Sequence, residues 1–456
     1  MHSSLGHEQL APLLSQLASS NDRFNLRFPG VRIHRQPVHT VYGGANLYKA
    51  GTTLKLAKLA QAHFATYATD YMAMSELLGL SVTDLVPSGH DESISLRVYD
   101  RVKAKLETEA IEDHRVDFED GYGSRADQEE DGHALSAAEA MAEDHKLGRL
   151  ARSTGIRIKS LAEETKHRSL RTLDIFITRL VELTDGDIPQ PFLVTLPKVT
   201  TPEQVSVICQ CLTLLEEQCN LPPHSLKLEL MIETIQSLVS PSGQINIPAL
   251  VDAGSDRVVT AVLGTFDYTA SCNIASNYQD HMHPAADFAR HMMQISLTGS
   301  IVTLCDGITN IMPIAPYRGE SLTAKQLAEN RAVIGHAWKV HFKNIMHSLR
   351  LGFYQGWDLN PAQLPIRFAA VFYFFLTGLE DASARLRAFI DKASQASLVG
   401  NTFDDAATGQ GLVNFFVNGI SCGALTSQDA LDAGITLEEL RDRSFLKIVE
   451  NRAKTS

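Results

Sequence analysis

The feature that most constrains this 456-residue chain is a repeated alternation of short β-branched segments with longer helical patterns. Each short segment ends in small or acidic residues, and a helix-like stretch follows it. The candidate strands are Val38–Tyr42, Arg115–Phe118, Gly155–Ser160, Phe192–Leu196, Lys227–Ile232, Arg257–Leu263, Ile301–Leu304 and the less regular Leu351–Tyr354. Eight strands that alternate with helices predict an α/β fold, a closed (β/α)8 TIM barrel.

The segments outside this pattern define a domain organisation. We predict an N-terminal helical segment over residues 1–37, the barrel over 38–366 and a helical C-terminal extension over 367–456. The stretch between the first two strands is too long for a single crossover, so we predict an insertion at about 53–114. In the extension, the apolar and amphipathic patterns predict helices at Phe368–Leu379, Asp381–Ser397 and Leu437–Ala453.

Composition and charge narrow the classes of partner. A net charge of −12 argues against a nucleic-acid surface, which needs clustered Lys and Arg, although one or two arginines can still serve a small anionic substrate. The apolar run Phe368–Leu376 is too short to span a bilayer and follows Arg367, so we predict a buried helix and no membrane partner. Residues 1–16 lack the basic start and apolar core of a secretory signal, and we therefore expect a cytoplasmic location.

Two carboxylates are predicted at the ends of neighbouring barrel strands. Glu233 follows the apolar segment Leu228–Ile232, and Asp267 follows Val262–Leu263 and the glycine at 264. Functional groups of α/β barrels project from the C-terminal strand ends, and oxygen ligands without thiol or paired His suit Mg²⁺ or Mn²⁺. Each acid alone is equally compatible with a helix N-cap or first-turn position.

A third acidic position follows the second candidate strand, in Asp117-Phe118-Glu119-Asp120-Gly121. Three clustered acids repel one another, which favours a bound cation or an Arg partner. Arg157 alternates with apolar residues in the next strand, where an inward guanidinium could grip a carboxylate in a two-pronged fashion. A structural ion pair with Glu119 or Asp120 is the alternative, and the two interpretations are compatible.

These segments, taken in order, resemble the HpcH/HpaI aldolase and citrate lyase β-subunit family over roughly Val38 to Gln363. The segments are Val38–Gly43, Asp117–Asp120, Arg157–Lys159, Leu196–Lys198, Ile232–Thr234 and Gly264–Tyr268. The citrate lyase-like branch is the more similar one, because the pyruvate aldolases place a proton-moving His where this chain has Asp120. The late His-Pro-x-Gln segment of the family has Asn360 in place of its His here, so coenzyme A binding is unsupported.

The resemblance implies roles for individual residues. It implies a Mg²⁺ or Mn²⁺ site at the positions of Glu233 and Asp267, and a contact from Arg157 to the substrate carboxylate or enolate. It also implies that Glu119 and Asp120 support the metal waters and the arginine, and we predict all three as catalytic residues. Homo-oligomers are usual in the family, so we expect one here.

Three further positions are candidates for substrate binding. Gly264 and Thr265 belong to the segment that resembles the family, and Lys198 follows Leu196-Pro197. Lys198 is as easily explained as an ion-pair partner of neighbouring acids, and a Schiff-base role is disfavoured because a bound metal already provides an electron sink.

The sequence therefore predicts a divalent-metal-dependent carbon–carbon lyase or aldolase that acts on a small carboxylate, a 2-oxo acid or related acyl compound, through an enolate. Two alternatives stay open at this point. One is a barrel that binds an acidic metabolite without turning it over, and the other is an enolpyruvate-type transferase. The absence of a Gly-rich phosphate loop counts against a nucleotide-dependent version of the transferase.

Overall fold

The computed structural model describes residues 5–30, 35–80, 93–319, 321–391, 397–399, 402–404, 406–442, 448 and 452. Eight parallel strands close into a barrel in sequence order. They are β1 (His39–Gly44), β2 (Asp113–Asp117), β3 (Ser153–Arg157), β4 (Phe192–Leu196), β5 (Leu226–Ile232), β6 (Val258–Leu263), β7 (Thr303–Asp306) and β8 (Gln355–Asp358). Strand β8 pairs with β1, with Thr40 opposite Trp357, which closes the cylinder. The predicted (β/α)8 barrel is confirmed.

Side chains of each strand alternate between the surrounding helices and the barrel interior. In β5, Leu228, Leu230 and Ile232 belong to the apolar layer beneath the helices. Met231 lies in a small separate cluster with residues of other strands, which fills the inside of the barrel: Tyr42, Val262, Cys305 and Trp357. Glu229 shares its inward direction, because it lies two residues before Met231 on the same strand. The alternation therefore sends Glu233, two residues beyond Met231, toward the barrel mouth.

The barrel interior also holds a polar network around Glu229. The Glu229 carboxylate accepts hydrogen bonds from Tyr42 Oη (2.7 Å), Thr195 Oγ1 (2.6 Å) and Arg115 Nη2 (3.4 Å). Arg115 also pairs with Asp113 on its own strand. Three donors compensate the buried carboxylate for the loss of water. Glu229 is therefore a structural residue of the barrel interior.

The helices that follow the strands form the outer layer. They are α5 (Asp127–Lys146), α6 (Lys166–Thr184), α7 (Pro202–Gln218), α8 (Ile235–Leu238), α9 (Ile247–Ala253), α10 (Thr265–Ser271), α11 (Pro284–Leu297) and α12 (Ala324–Arg350). Helix α1 (His7–Arg27) precedes the barrel, and α2 (Thr52–Tyr67), α3 (Tyr71–Leu78) and α4 (Ile94–Glu109) lie between β1 and β2.

The C-terminal part begins with one long helix, α13 (Leu364–Asp391). It spans the predicted helix at Phe368–Leu379 and most of the one at Asp381–Ser397, of which residues 392–396 lie outside the described part. After it come β9 (Ser397–Val399), β10 (Thr402–Asp404), α14 (Ala406–Ser421), α15 (Ser427–Asp432) and α16 (Leu437–Asp442). Strands β9 and β10 pair in antiparallel fashion. Helix α14 was not predicted.

The apolar stretch Pro361–Ala388, which includes most of α13, is long and apolar enough to cross a membrane by length and composition. However, 72% of its most apolar window is buried inside the protein. There α13 packs against α4 and α12. This burial is what a core helix shows, as predicted for Phe368–Leu376.

The eighth predicted strand, Leu351–Tyr354, is wrong, since β8 begins at Gln355. Leu351 ends α12, and Gly352 adopts the left-handed conformation (φ 79°) that often terminates a helix. The true strand reads Gln-Gly-Trp-Asp, which is neither an apolar run nor an apolar–polar alternation. Its inward-facing Gln355 donates a hydrogen bond to Thr40 Oγ1 (3.0 Å). Because this inward position is polar, the strand lacks the apolar pattern by which the other strands were predicted.

Candidate functional site

The predicted site residues converge at the C-terminal mouth of the barrel. Glu119 and Asp120 follow β2, Arg157 ends β3, and Lys198 follows β4; Glu233 follows β5, and the segment Gly264–Asp267 follows β6. A cavity of about 280 Å³ opens there. Among the predicted residues, Asp120, Arg157, Gly264, Thr265 and Asp267 line it.

Glu233 and Asp267 meet at this mouth. Glu233 is 1% exposed, whereas the Asp267 side chain is 44% exposed. Burial, reinforced by the charge of Asp267, raises the pKa of Glu233 to about 8. Burial also raises the pKa of Asp267, although Lys198 and a hydrogen bond with Glu233 oppose the increase. Two neighbouring acids whose pKa values are both raised favour the binding of a proton or a cation.

Gly264 makes room for this pair. A Cβ atom at position 264 would collide with Glu233 Oε2, so a side chain there would displace the carboxylate. The other Glu233 oxygen, Oε1, accepts a hydrogen bond of 2.7 Å from the backbone N–H of Lys198. The glycine and the backbone donor together fix where the Glu233 carboxylate points.

The donor set fits a hard divalent ion with few protein ligands. Within the described ranges no group of three or more His, Cys, Asp or Glu side chains is arranged to hold a metal. Mg²⁺ usually keeps several waters and takes one or two carboxylates from the protein, whereas structural Zn²⁺ takes four protein ligands. Two carboxyls whose pKa values are both raised also match the need for a positive charge between them.

Lys198 is bound by the acids around it. Its Nζ contacts Glu119 and lies 2.9 Å from Asp120 Oδ2 and 3.8 Å from Asp267 Oδ2. Burial alone would lower the pKa of Lys198, but the charges of Glu233 and Glu119 outweigh it and raise the pKa. A Schiff-base lysine has to lose its proton, so these contacts favour the ion-pair interpretation of Lys198.

Arg157 is held by a partner that the sequence did not single out. Asp117 accepts from Arg157 Nε at 2.7 Å and from Nη2 at 2.5 Å, while Nη1 lies 3.2 Å from Glu119 Oε2. The predicted pairing with Glu119 is therefore present but secondary. Because the Nε–Nη2 edge is engaged by Asp117, it is not available for a two-pronged grip on a substrate carboxylate, and only Nη1 faces Glu119 and Asp120.

Two aromatic rings complete the arginine's surroundings. The Arg157 guanidinium carbon lies 5.1 Å from the ring centre of Tyr42 and 5.1 Å from that of Trp357. Sequence reasoning missed Tyr42, Trp357 and the role of Asp117. Tyr42 could have been found from the alternation of inward-facing and outward-facing residues along β1. The ion pair could have been found by aligning β2 with β3, because Asp117 lies opposite Arg157.

Two more acids end barrel strands, but both are neutralised. Asp306 at the end of β7 accepts from Arg290 Nε at 2.9 Å, and Asp358 at the end of β8 accepts from Arg367 Nε at 3.0 Å. Burial would raise the pKa of each acid, but the paired arginine outweighs it and holds the pKa well below its ordinary value. His281 also faces Asp306, with Nε2 3.4 Å from Oδ2.

The fold is similar to solved enzyme structures at low sequence identity. A citrate lyase from Burkholderia xenovorans LB400 aligns with a TM-score of 0.55 and 13% identity, over 87% of this chain and 96% of that one. A malate synthase from Haloferax volcanii, in a pyruvate/acetyl-CoA ternary complex, aligns with a TM-score of 0.41 and 15% identity, over 82% and 96%. The first likeness shows the shared fold alone, and the second is too weak to support an argument.

Sequence comparison gives the family. No curated protein matches the chain. Residues 17–448 match the family described as Domain of unknown function (DUF6986), a span that covers most of the sequence. The chain therefore belongs to the DUF6986 family.

Proposed function

We propose that this protein is a divalent-metal-dependent enzyme that makes or breaks a carbon–carbon bond beside the carboxylate of a small 2-oxo acid or related acyl compound, through an enolate. One observation carries the proposal. Glu233 and Asp267 follow neighbouring strands at the barrel mouth, the Glu233 carboxylate is buried, and burial together with the charge of Asp267 raises its pKa while burial raises that of Asp267. The nearest lysine, Lys198, is already bound by Glu119 and Asp120. Such a pair is best satisfied by an added cation.

Glu233 and Asp267 would hold the ion, Mg²⁺ or Mn²⁺, with waters and substrate completing its shell. When bound, the ion supplies Lewis-acid stabilisation of negative charge on a substrate oxygen. Thr265 and Gly264 line the cavity beside Asp267, where they would contact the substrate.

Arg157 contributes a fixed positive charge. Asp117 and the rings of Tyr42 and Trp357 prevent the guanidinium from turning, so Nη1 stays on the side of Glu119. A preorganised donor of this kind stabilises negative charge that develops on the substrate, typically by about 3 kcal/mol. Asp117 acts through Arg157 and is therefore a positioning residue.

Asp120 is the residue best placed to take a proton in the cleavage direction. Its side chain is 54% exposed at the mouth. Burial would raise the pKa of Asp120, but hydrogen bonds with Glu119 and Lys198 outweigh it, so the pKa is lowered and the group is ionised at neutral pH. When the carbon–carbon bond breaks, its electron pair remains on the acid fragment as the enolate. The hydroxyl proton of the other fragment passes to Asp120, and that fragment leaves as a carbonyl compound.

The likeness to a citrate lyase agrees with this proposal. That protein is a citrate lyase, and the two structures align over 87% of this chain. At 13% identity the likeness supports the scaffold, so the case for the reaction rests on the residues at the mouth.

One observation favours a second candidate, a barrel that binds an acidic metabolite without turnover. The Lys198 ammonium lies among Glu119, Asp120 and Asp267, and Arg157 is already engaged by Asp117. In a binding protein, these internal ion pairs would replace the metal.

Solvent deuterium exchange separates the two candidates. The wild-type protein is incubated with 2-oxo acids in D₂O, with and without Mg²⁺, and exchange at the carbon beside the carbonyl is followed by NMR. We expect exchange that requires the metal and is lost in Glu233→Gln. Glu203→Gln, an exposed acid on α7, serves as the matched control and should retain exchange. Binding without exchange in the wild type would favour the metabolite-binding candidate.

A further inference from the structure

Strand order divides the cavity at the mouth into two halves. The charged half is built from the ends of β2 and β3 and from the segment after β6, which contribute Asp120, Arg157 and Asp267. The other half is apolar and is lined by Phe266, Ile308, Trp357 and Leu359, from segments at the ends of β6, β7 and β8. Trp357 lies where the two halves meet, because the Arg157 guanidinium carbon is 5.1 Å from the centre of its ring.

The acids of β7 and β8 do not reach the cavity. Asp306 and Asp358 are 1% and 0% exposed, and their arginine partners Arg290 and Arg367 hold them away from the cavity lining. Ile308 and Leu359, each one or two residues further along the chain, occupy the lining instead. Apolar side chains therefore face the cavity in this half, although two strands that lead to it end in carboxylates.

The cavity lining is poor in cationic side chains. Among the described residues that line it, Arg157 is the single Lys or Arg, and Asp117 engages its Nε and Nη2. A first substrate carboxylate can reach a metal held by Glu233 and Asp267. A second carboxylate beside Ile308 and Leu359 would find no cation among the described lining residues except Arg157, which Asp117 already engages. Burial of an unpaired carboxylate is strongly unfavourable.

Resting on the proposed function, we propose that this site takes a monocarboxylic 2-oxo acid with a short hydrocarbon group, which packs on Ile308, Trp357 and Leu359, and that it rejects dicarboxylic acids of the same shape. The cavity of about 280 Å³ accommodates a small acid of this kind.

Dissociation constants measured by calorimetry with the Mg²⁺-loaded full chain test this substrate class. From pyruvate to 2-oxobutanoate to 2-oxopentanoate, each added methylene should tighten binding about fourfold. In the matched pair of 2-oxoglutarate and 5-methyl-2-oxohexanoate, an isopropyl group replaces the distal carboxylate. We expect the branched acid to bind at least tenfold more tightly. Equal or tighter binding of 2-oxoglutarate would overturn the proposal.

A variant makes the test independent of folding defects. Leu359→Arg places a cation in the apolar half and should reverse the preference toward 2-oxoglutarate, whereas Leu214→Arg, an exposed leucine on α7, should leave it unchanged. Failure of this inference and failure of the proposed function give different results. Deuterium exchange with 2-oxoglutarate at the rate of the branched acid overturns only the substrate class. The expected binding preference without any exchange overturns only the lyase activity.

Discussion

Four neighbouring strands of this barrel end in carboxylates, and the two pairs differ in electrostatic environment. At the ends of β7 and β8, Asp306 and Asp358 are buried against Arg290 and Arg367, and the pKa of each acid is lowered. At the ends of β5 and β6, Glu233 and Asp267 face each other, and the pKa of each is raised. All four acids lie at the same end of the barrel, but the chain provides a dedicated arginine for only one pair.

The difference separates structural acids from candidate functional ones. An acid with its own arginine stabilises the fold and needs no ligand, whereas an acid that faces another acid makes folding less favourable until a cation binds. This contrast also explains why the mouth has one charged and one apolar half. The arginines withdraw Asp306 and Asp358 from the cavity, while Glu233 and Asp267 remain at it.

The largest expected effect is on stability at β8. Asp358→Asn leaves Arg367 buried without its charged partner, and loss of one member of such a pair typically costs about 3–5 kcal/mol. Because the pKa of Asp358 is lowered by folding, its contribution is present above about pH 4 and is lost as the pH falls. Urea denaturation at pH 7 and at acid pH measures both the loss of stability and its dependence on pH. A loss below about 1 kcal/mol would contradict the structural role, and Asp280→Asn, an exposed acid, is the control.

The opposite pH dependence of stability is expected from Glu233, which follows β5. In metal-free protein, folding raises the pKa of Glu233 from about 4.3 to about 8, so the folded state retains a proton that the unfolded chain has released. Stability therefore falls as the pH rises through this window. Glu233→Gln cannot ionise and should be more stable than wild type at pH 8, on the order of 2 kcal/mol.

Thermal unfolding in EDTA from pH 5 to pH 8 measures this difference. The wild-type melting temperature should fall relative to that of Glu233→Gln as the pH rises. Parallel curves for the two proteins would show that Glu233 is already neutralised within the chain. Glu203→Gln should follow the wild type, because it changes a solvated acid on α7.

A smaller effect is expected at Lys198. Its ammonium lies 3.8 Å from Asp267 Oδ2 and is about one-third exposed, so solvent screens its repulsion of a bound cation. Lys198→Met should tighten Mn²⁺ binding by roughly three- to tenfold. Isothermal titration calorimetry measures the change, with Lys166→Met, a surface lysine paired with Glu163, as the control. Weaker Mn²⁺ binding in Lys198→Met would show that the lysine supports the metal.

The fold was largely predictable because seven predicted segments overlap barrel strands and helical patterns separate them along the chain. The eighth was misplaced because Gln355 and Trp357 face a polar interior, and because the apolar residues before them end helix α12. The helices predicted at Phe368–Leu379 and Asp381–Ser397 are one helix that ends at Asp391, since no residue between Leu379 and Asp381 is a helix breaker, and the predicted end at Ser397 is wrong because Ser397 begins β9.

The sequence predicted which residues lie at the strand ends, but it did not predict which of them form ion pairs with one another. Strand ends meet at one face of a barrel, so Glu233, Asp267 and Arg157 could be placed together from order alone. Which acid holds Arg157 depends on the register between β2 and β3, and Asp117 is the residue in register. The neutralisation of Asp358 by Arg367 depended on the strand that was misplaced.

A crystal structure of the protein grown with Mn²⁺, with data collected for anomalous scattering, tests the central claim most directly. We predict one anomalous peak within coordination distance of both the Glu233 and the Asp267 carboxylates, and none beside Asp306 or Asp358. A site without a peak, in which the Lys198 ammonium lies between Glu233 and Asp267, would contradict the account.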